Sequence, residues 1–273
     1  HVQQCAAVRH HGDRRGDDPA RGNAARSPTR PFRLWCVPGK SDKQLTQPDR
    51  HPGLTLPDRG QITDVPGVTV GHYTDLEYAT GCTAVLVDEP AVGGVDIRGT
   101  STGTRETQLL DPLARIEHIH GIMLSGGSTF GLEAATGAVR YLEEQGRGLK
   151  IGRMTIPLVP SAIIFDLDLA SHLVRPNADN GYAAAEVASK GTATGTVGAG
   201  AGATVGKLHG KQLSIKSGLG TASVRLGDDI VVGALVVMNA IGSVVDPDTG
   251  TVVAGPRTND GFENTLDVLV DDP

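Results

Sequence analysis

Cysteine and long apolar runs are scarce in this chain of 273 residues. Its three cysteines, Cys5, Cys36 and Cys82, show neither the density of a disulfide framework nor the C-x-x-C spacing of a zinc knuckle. The longest apolar runs, 156–165 and 230–240, are shorter than the roughly 20 residues that a membrane helix needs. We therefore expect no disulfide scaffold and no membrane span, and a protein of a reducing compartment, the cytoplasm.

Aromatic residues are also few, at 3% of the chain, so they can supply little of the core. Hydrophobic residues amount to 38%, and 37 glycines let backbones approach one another. A chain of this length buries most of its apolar surface on folding. The sequence therefore predicts a large core of Val, Leu, Ile and Ala, packed closely.

Charge divides the chain into two unlike parts. Residues 1–60 hold 11 Lys and Arg against 6 Asp and Glu, whereas the remainder holds 14 against 25. The first part also contains 7 of the 16 prolines and little apolar periodicity, which predicts a disordered basic tail. The acidic remainder, 61–273, predicts the folded domain. Its charge argues against a nucleic-acid partner, because phosphate binding needs clustered cations.

The domain alternates short β-branched runs with glycine, and two helical patterns lie between them. We predict strands on both sides of a Pro66-Gly67 turn, and helices over 130–145 and 180–190. Strands interleaved with separate helices predict a layered α and β domain. The other predicted strands are 83–88, 119–124, 156–159, 222–226, 230–240 and 243–246.

Two loops carry clustered polar groups. The turn Ser125–Thr129 joins a strand to a helix, so its amides either hold an anion or make a tight connection. The loop Arg98–Thr107 either shapes a binding surface or is held by an internal pair of Arg105 with Glu106. We expect Arg105 and Glu106 to pair, close to the glycine-rich segments such as 191–220.

Histidines and carboxylates give weaker signals. His118 and His120 share one face of a strand without a third ligand, so no metal site is predicted. His72 and His172 are candidate catalytic bases, but the sequence contains no Gly-x-Ser-x-Gly nucleophile elbow to pair with them. Asp166 and Asp168 face the same side of an extended segment, where such a pair is usually solvated.

Several segments, in order, resemble the self-processing L-aminopeptidase/D-esterase family, which includes the β-aminopeptidases. Their specificity lies in the order, since no single segment would identify the family. The segments are ITDVPGVTVGH (62–72), GTRET (103–107), LSGGSTFGL (124–132), PLVPSAIIFDL (157–167), GTVGAGAGA (195–203), GLGTAS (218–223) and VGALVVMNA (232–240).

The resemblance implies a fold and a mechanism. The fold is a four-layer α/β/β/α sandwich of the self-processing aminopeptidase and ornithine acetyltransferase kind, made by a precursor that cuts itself into two subunits. A Ser or Thr hydroxyl attacks its own preceding carbonyl and later, as the new N-terminus, attacks the substrate. The freed α-amino group takes the hydroxyl proton, so neither a separate histidine nor a metal or cofactor is needed.

Family motifs place the functional residues by similarity. Thr265 after Asn264 resembles the nucleophile at the self-cleavage site, and Asn239 is similar to the asparagine that stabilises the oxyanion. Phe165 falls where some relatives carry a tyrosine near the nucleophile. Together with Arg105 and Glu106, it is a candidate for the substrate pocket.

The resemblance also implies substrates and assembly. We expect an aminopeptidase or amidohydrolase that releases N-terminal residues from short peptides, amides or esters, as a homo-oligomer. Only 265–273 remain from the nucleophile onward, and 266–272 are a loose copy of the family's strand. This predicts a truncated chain, an α-subunit part with a short stub after residue 264. The alternatives are an acyltransferase of the ornithine acetyltransferase kind and an inactive fragment that lacks its β subunit.

Overall fold

Strands make up most of the regular structure in this computed structural model, which describes residues 4–9, 60–259 and 261–271. The strands are β1 Gln4–Arg9, β2 Val68–Asp75, β3 Thr80–Val92, β4 Thr104–Arg105, β5 His118–Ser125, β6 Leu149–Ile151, β7 Met154–Ile156, β8 Ser161–Ile163, β9 Thr204–Val205, β10 Ile215–Lys216, β11 Leu219–Leu226, β12 Ile230–Val237, β13 Val244–Val245 and β14 Val252–Ala254. The α-helices are α1 Ala134–Glu144, α2 Ala178–Glu186 and α3 Thr265–Asp271. Short 3-10 helices cover Ile62–Asp64, Thr107–Leu110, Ser128–Glu133, Gly198–Gly200 and Lys211–Leu213.

The larger sheet has five strands in the order β2-β3-β5-β8-β4. Strands β5 and β8 run parallel, and the other neighbours are antiparallel. On one face, α1 and α2 cover Cys82, Ala84, Leu86 and Met123 with small apolar side chains and Leu142. A helical layer therefore buries one side of this sheet.

A second sheet covers the opposite face. It contains three strands in the order β1-β12-β11. Val231, Leu235 and Val237 of β12 pack in one cluster with Val70 and Val85 of the larger sheet. The described residues thus form three layers, helices, sheet and sheet, in a mixed α+β domain.

The two helices of the helical layer approach each other through glycine. A Cβ atom on Gly137 of α1 would overlap the carbonyl oxygen of Ala178, and one on Gly181 of α2 would overlap that of Ala134. Only glycine permits this backbone contact. Neither these helices nor α3 is long and apolar enough to cross a bilayer, and the same holds for every helix in the described ranges.

The structure corrects the prediction of a disordered tail at one place. Gln4–Arg9 forms β1, which pairs antiparallel with β12 from Gln4↔Val237 to Arg9↔Val232. The physical reason is that β12 would otherwise be an edge strand, whose unpaired backbone N–H and C=O groups pair with a further strand. The rest of the predicted tail, 10–59, lies outside the described residues, and the domain boundary near residue 60 stays a prediction.

Local chemistry shifts several other predicted elements. Ile62–Asp64 is a 3-10 helix instead of a strand, because the Asp64 carboxylate accepts the Gln61 amide at 2.7 Å while the Asp64 amide donates to the Gln61 carbonyl at 3.0 Å. The predicted strand 156–159 does not form. Strand β7 ends at Ile156 and β8 begins at Ser161, because Pro157 and Pro160 between them have no backbone N–H to donate to a neighbouring strand. Helix α2 starts earlier than predicted, since Asn177 and Asn180 form a capping box.

Replacing Gly137 with alanine should lower the free energy of unfolding by about 1 to 3 kcal/mol, because the helices must separate to admit a methyl group. The loss should appear although alanine favours a helix by about 1 kcal/mol over glycine. Urea denaturation measures it. Gly94→Ala is the matched control, since a Cβ atom there meets nothing within 4 Å. Equal stability of the two variants would contradict the close approach.

Candidate active site

A cavity of about 1030 Å³ opens where β4, β8, β9 and the segment after β12 meet. Its wall combines apolar side chains with hydroxyl groups, three lysines and one carboxylate. The lining residues are Ser101, Thr102, Gly103, Thr104, Ser128, Thr129, Leu132, Ile163, Ile164, Phe165, Asp168, Leu169, Thr204, Lys207, Lys211, Gln212, Ser214, Lys216, Asn239 and Ile241. The cavity is large enough for a short peptide or amide.

Asn239 follows β12 and has its amide fixed in one orientation. Its Oδ1 accepts hydrogen bonds from the Thr204 amide at 3.2 Å and from the Lys207 ammonium at 2.8 Å. Its Nδ2 donates to the Phe165 carbonyl at 3.3 Å. Two donors facing one amide atom identify that atom as oxygen. The Asn239 Nδ2 group therefore lies on the side of Phe165, at the cavity wall.

Lys207 is the functional candidate that the sequence analysis missed. Its Nζ donates to both the side-chain and the main-chain oxygen of Asn239, at 2.8 and 3.2 Å. Burial lowers the pKa of Lys207 to about 8, although the Asp168 carboxylate opposes the shift. One lysine among several in a glycine-rich stretch gives no signal in the sequence, because its importance comes from what its ammonium contacts.

The other two lysines of the wall have different partners. Lys216 donates to the carbonyls of Gly200, Ala203 and Ser217, at 3.0 to 3.2 Å. Lys211 donates to the Asp168 carbonyl at 2.6 Å and lies 3.8 Å from that residue's carboxylate. These contacts tie the loops of the wall together, whereas Lys207 is the lysine that contacts Asn239.

Thr265 begins α3 and is buried, with 7% of its surface exposed. Its Oγ1 lies 2.9 Å from the Ser243 Oγ, and its amide donates to the same oxygen at 3.0 Å. Thr265 is not part of the cavity wall. The segment 239–243 connects the two places, since Asn239 and Ile241 line the cavity and Ser243 binds Thr265.

The residues after Thr265 form a helix and not the strand that the resemblance implies. The Asn264 carbonyl accepts the amides of Asp267 and Val268, at 3.1 and 3.2 Å, and its side chain accepts the Leu266 amide at 3.1 Å. Asparagine is a strong N-cap residue. Without a partner strand among the described residues, this cap and the internal hydrogen bonds decide the local structure.

The three candidates for the substrate pocket do not share one place. Phe165 lines the cavity and is 55% exposed. Arg105 and Glu106 are absent from the wall, and the expected pair between them is wrong. The Arg105 guanidinium instead donates to the Thr136 hydroxyl at 2.7 Å and to the Leu132 carbonyl at 3.4 Å, because the start of α1 lies within its reach.

Asp166 is buried and structural, contrary to the expectation of a solvated pair. Its carboxylate accepts the Gly127 amide at 2.7 Å and the Thr80 hydroxyl at 2.9 Å. Burial raises the pKa of Asp166, and these hydrogen bonds oppose the rise. The Gly127 amide in the turn Ser125–Thr129 therefore binds a carboxylate of the chain itself. Of the two carboxylates, only Asp168 reaches the cavity.

His72 and His120 are held by hydrogen bonds within the fold. The His72 ring lies between the hydroxyls of Thr83 and Thr192, at 3.0 and 2.7 Å, and burial lowers its pKa. The His120 Nδ1 accepts the Leu158 amide at 3.2 Å. Across residues 60–259 and 261–271, no group of three His, Cys, Asp or Glu side chains could hold a metal ion.

Comparison with known proteins gives relatives in sequence and in structure. The model of peptidase family S58 matches residues 60–261. An uncharacterized aminopeptidase of Mycobacterium tuberculosis is 46% identical over 197 residues, which cover 69% of this chain and 55% of that protein. A 6-aminohexanoate-oligomer endohydrolase of Paenarthrobacter ureafaciens is 37% identical over 193 residues, which cover 70% and 51%.

A solved structure supports the fold independently of these sequences. The L-aminopeptidase D-Ala-esterase/amidase of Ochrobactrum anthropi, a serine aminopeptidase described as a variant of the Ntn hydrolase fold, has a TM-score of 0.54 and 23% identity. The likeness covers 68% of this chain and 56% of that one, and it shows an Ntn-hydrolase-like fold. The chain spans about half the length of the curated relatives it matches.

Lys207 should lose its proton near pH 8, far below the ordinary lysine value of 10.5. Between these values the folded chain binds fewer protons than the unfolded chain, so the free energy of unfolding should rise with pH across that window. Carbon NMR of the lysine Cε atoms, followed from neutral to alkaline pH, measures the titration.

Lys207→Gln assigns the signal and serves as the control, because it should remove both the resonance and the rise in stability. A Lys207 resonance that titrates at the ordinary value, with no change in stability through the window, would contradict the effect of burial.

Proposed function

The chain belongs to peptidase family S58, and on that premise we propose that its protein is an aminopeptidase or amidohydrolase with Thr265 as an autocatalytically exposed nucleophile. Membership of this hydrolase family confirms the family that the ordered sequence motifs resemble. The observation that carries the proposal is Thr265 itself, a buried threonine after Asn264 with its hydroxyl and its amide held by one partner, Ser243.

The proposed self-cleavage uses only groups of the chain and water. The Thr265 Oγ1 attacks the Asn264 carbonyl carbon, an ester bond forms, and the peptide C–N bond breaks as the nitrogen of Thr265 takes up a proton. Water then hydrolyses the ester and leaves a carboxylate on Asn264. The freed α-amino group of Thr265 accepts the hydroxyl proton in the next reaction, when the same oxygen attacks a substrate carbonyl.

Asn239 is the proposed donor to the oxyanion. Its Nδ2 carries two N–H groups, and within the described residues the Phe165 carbonyl is its acceptor, which leaves one N–H for a developing negative charge. Such a donor contributes roughly 3 kcal/mol to transition-state stabilisation. The Thr204 amide and Lys207 hold Oδ1, so the amide is oriented before a substrate arrives.

In the proposed mechanism, Lys207 strengthens Asn239 as a hydrogen-bond donor. Its ammonium polarises the Asn239 amide through Oδ1 and thereby makes the Nδ2 protons better donors. Since the pKa of Lys207 is about 8, this support is lost as the pH rises above that value.

The complete fold is proposed to be a four-layer α/β/β/α sandwich. Along β12, alternate residues from Val231 to Val237 are buried against the larger sheet, while Val232, Ala234 and Val236 on the outer face are only half-buried. Ala222 and Val224 of β11 pair beside them. An apolar outer face of this kind favours a further covering layer, which would make the fourth.

The proposed substrates are short peptides, amides or esters. The cavity offers Leu132, Phe165 and Ile241 for apolar contact, together with the hydroxyls and lysines of its wall. The relatives are named as an aminopeptidase and as an endohydrolase of 6-aminohexanoate oligomers, which agrees with hydrolysis of bonds between amino acids. Homo-oligomeric assembly and a cytoplasmic location stay predictions.

In the protein expressed from its complete gene, Thr265→Ala should abolish both chain cleavage and peptide hydrolysis, because alanine has no hydroxyl to attack either carbonyl. A loss of at least roughly 1000-fold is expected for removal of a nucleophile. Thr265→Ser should retain part of both. Mass spectrometry locates the break between Asn264 and Thr265, and hydrolysis of amino-acid anilides measures turnover.

Thr251→Ala is the matched control, since this exposed threonine lies in a loop away from the cavity. It should cleave and hydrolyse as the unchanged protein does. Cleavage at the same bond in Thr265→Ala, or an unchanged protein that neither cleaves nor hydrolyses, would refute the proposed function.

A further inference from the structure

Ser243 contacts the chain on both sides of the Asn264-Thr265 peptide bond. Before the bond, its Oγ donates to the Glu263 carbonyl at 2.9 Å. After the bond, the same oxygen lies 3.0 Å from the Thr265 nitrogen and 2.9 Å from the Thr265 Oγ1. One hydroxyl group therefore spans the bond that the proposed reaction breaks.

The hydrogen-bonding capacity of this hydroxyl assigns the direction of each contact. A serine hydroxyl has one proton and two lone pairs. Its proton goes to the Glu263 carbonyl, so it accepts from both the amide and the hydroxyl of Thr265. Ser243 is thereby saturated. It orients the Thr265 O–H bond without being able to remove the proton, since the carbonyl behind it is no base.

The segment before the bond is fixed by further contacts. The Glu263 amide donates to the Pro256 carbonyl at 3.0 Å, and the Glu263 carboxylate lies 2.7 Å from the His209 Nε2. A Cβ atom on Gly255 would lie 2.6 Å from the Glu263 carbonyl oxygen and 2.7 Å from the Ser243 Oγ. The close packing at Gly255 brings Ser243 and Glu263 together.

We propose that Ser243 is a positioning residue for Thr265, in self-cleavage and afterwards in substrate hydrolysis. Before cleavage it holds the hydroxyl oxygen and the amide nitrogen of Thr265 in a fixed relation to each other. After cleavage it holds the new α-amino group beside the hydroxyl whose proton that group must accept. The proposal rests on the proposed function of Thr265.

The second role predicts a change in pH dependence. A hydrogen bond from the protonated α-amino group to the Ser243 oxygen stabilises the charged form, so its loss lowers the pKa of the amino group. One net hydrogen bond corresponds to about half to one pH unit. The acidic limb of the kcat/KM profile should therefore move to lower pH by that amount when the Ser243 hydroxyl is removed.

The test compares Ser243→Ala with the unchanged protein, both expressed from the complete gene. Loss of the fixed geometry should slow cleavage of the Asn264-Thr265 bond by about 100-fold, followed by mass spectrometry over time. The fraction that does mature on long incubation should show the shifted pH profile. Ser223→Ala is the matched control, a half-buried serine of β11 that donates to Asp64, and it should cleave at the unchanged rate.

Ser243→Thr and Ser243→Val form a second pair, nearly equal in shape and different in the hydroxyl. The Ser243→Thr variant should cleave the Asn264-Thr265 bond at least tenfold faster than the Ser243→Val variant. This comparison tests the hydroxyl even if Ser243→Ala fails to fold. Equal rates in this pair, or a Ser243→Ala that matures at the unchanged rate with an unchanged pH profile, would overturn the role of Ser243 alone. A protein that cleaves in none of its forms would overturn the function of Thr265 and this inference with it.

Discussion

Burial of both faces of β3 is the constraint on which the arrangement of the molecule depends. From Thr80 to Val87, every residue of this strand is buried, so neither face of the larger sheet can meet water there. Helices α1 and α2 cover one side and the sheet of β11 and β12 covers the other. The interior of such a layered domain is full of side chains, which leaves the ends of the strands for a cavity.

Asp166 connects this core to the cavity. It follows β8 by three residues, and its carboxylate binds Thr80 at the start of β3 and the Gly127 amide in the turn before α1. Phe165, next to it in the chain, then faces the cavity and presents its carbonyl to Asn239. A buried charge without enough hydrogen bonds is costly, so these contacts favour one arrangement of the wall.

Sequence patterns predicted a mixed α and β domain and the helices α1 and α2, and ordered motifs led to the family by resemblance, because apolar periodicity and motifs are local properties of the chain. The family resemblance implied a strand after Thr265, but a strand needs a neighbouring edge to pair with, whereas the Asn264 cap stabilises a helix through local hydrogen bonds alone. Lys207 was missed for a related reason, since its lowered pKa and its contact with Asn239 exist only after folding. Thr265 and Asn239 came from the family resemblance and not from any pattern of charge or spacing.

The segment 239–243 connects the cavity wall with Thr265, which lies outside that wall, and so links the two parts of the proposed active site. Asn239 at its start is held by Lys207 from the glycine-rich segment, and Ser243 at its end holds Thr265. Between them, the carbonyls of Ile241 and Gly242 accept the amides of Lys207 and Gly206, at 2.7 and 3.1 Å. A displacement of this segment would therefore move the proposed oxyanion donor and the proposed nucleophile together, so their relative geometry is set by a few bonds of one short, anchored stretch of chain.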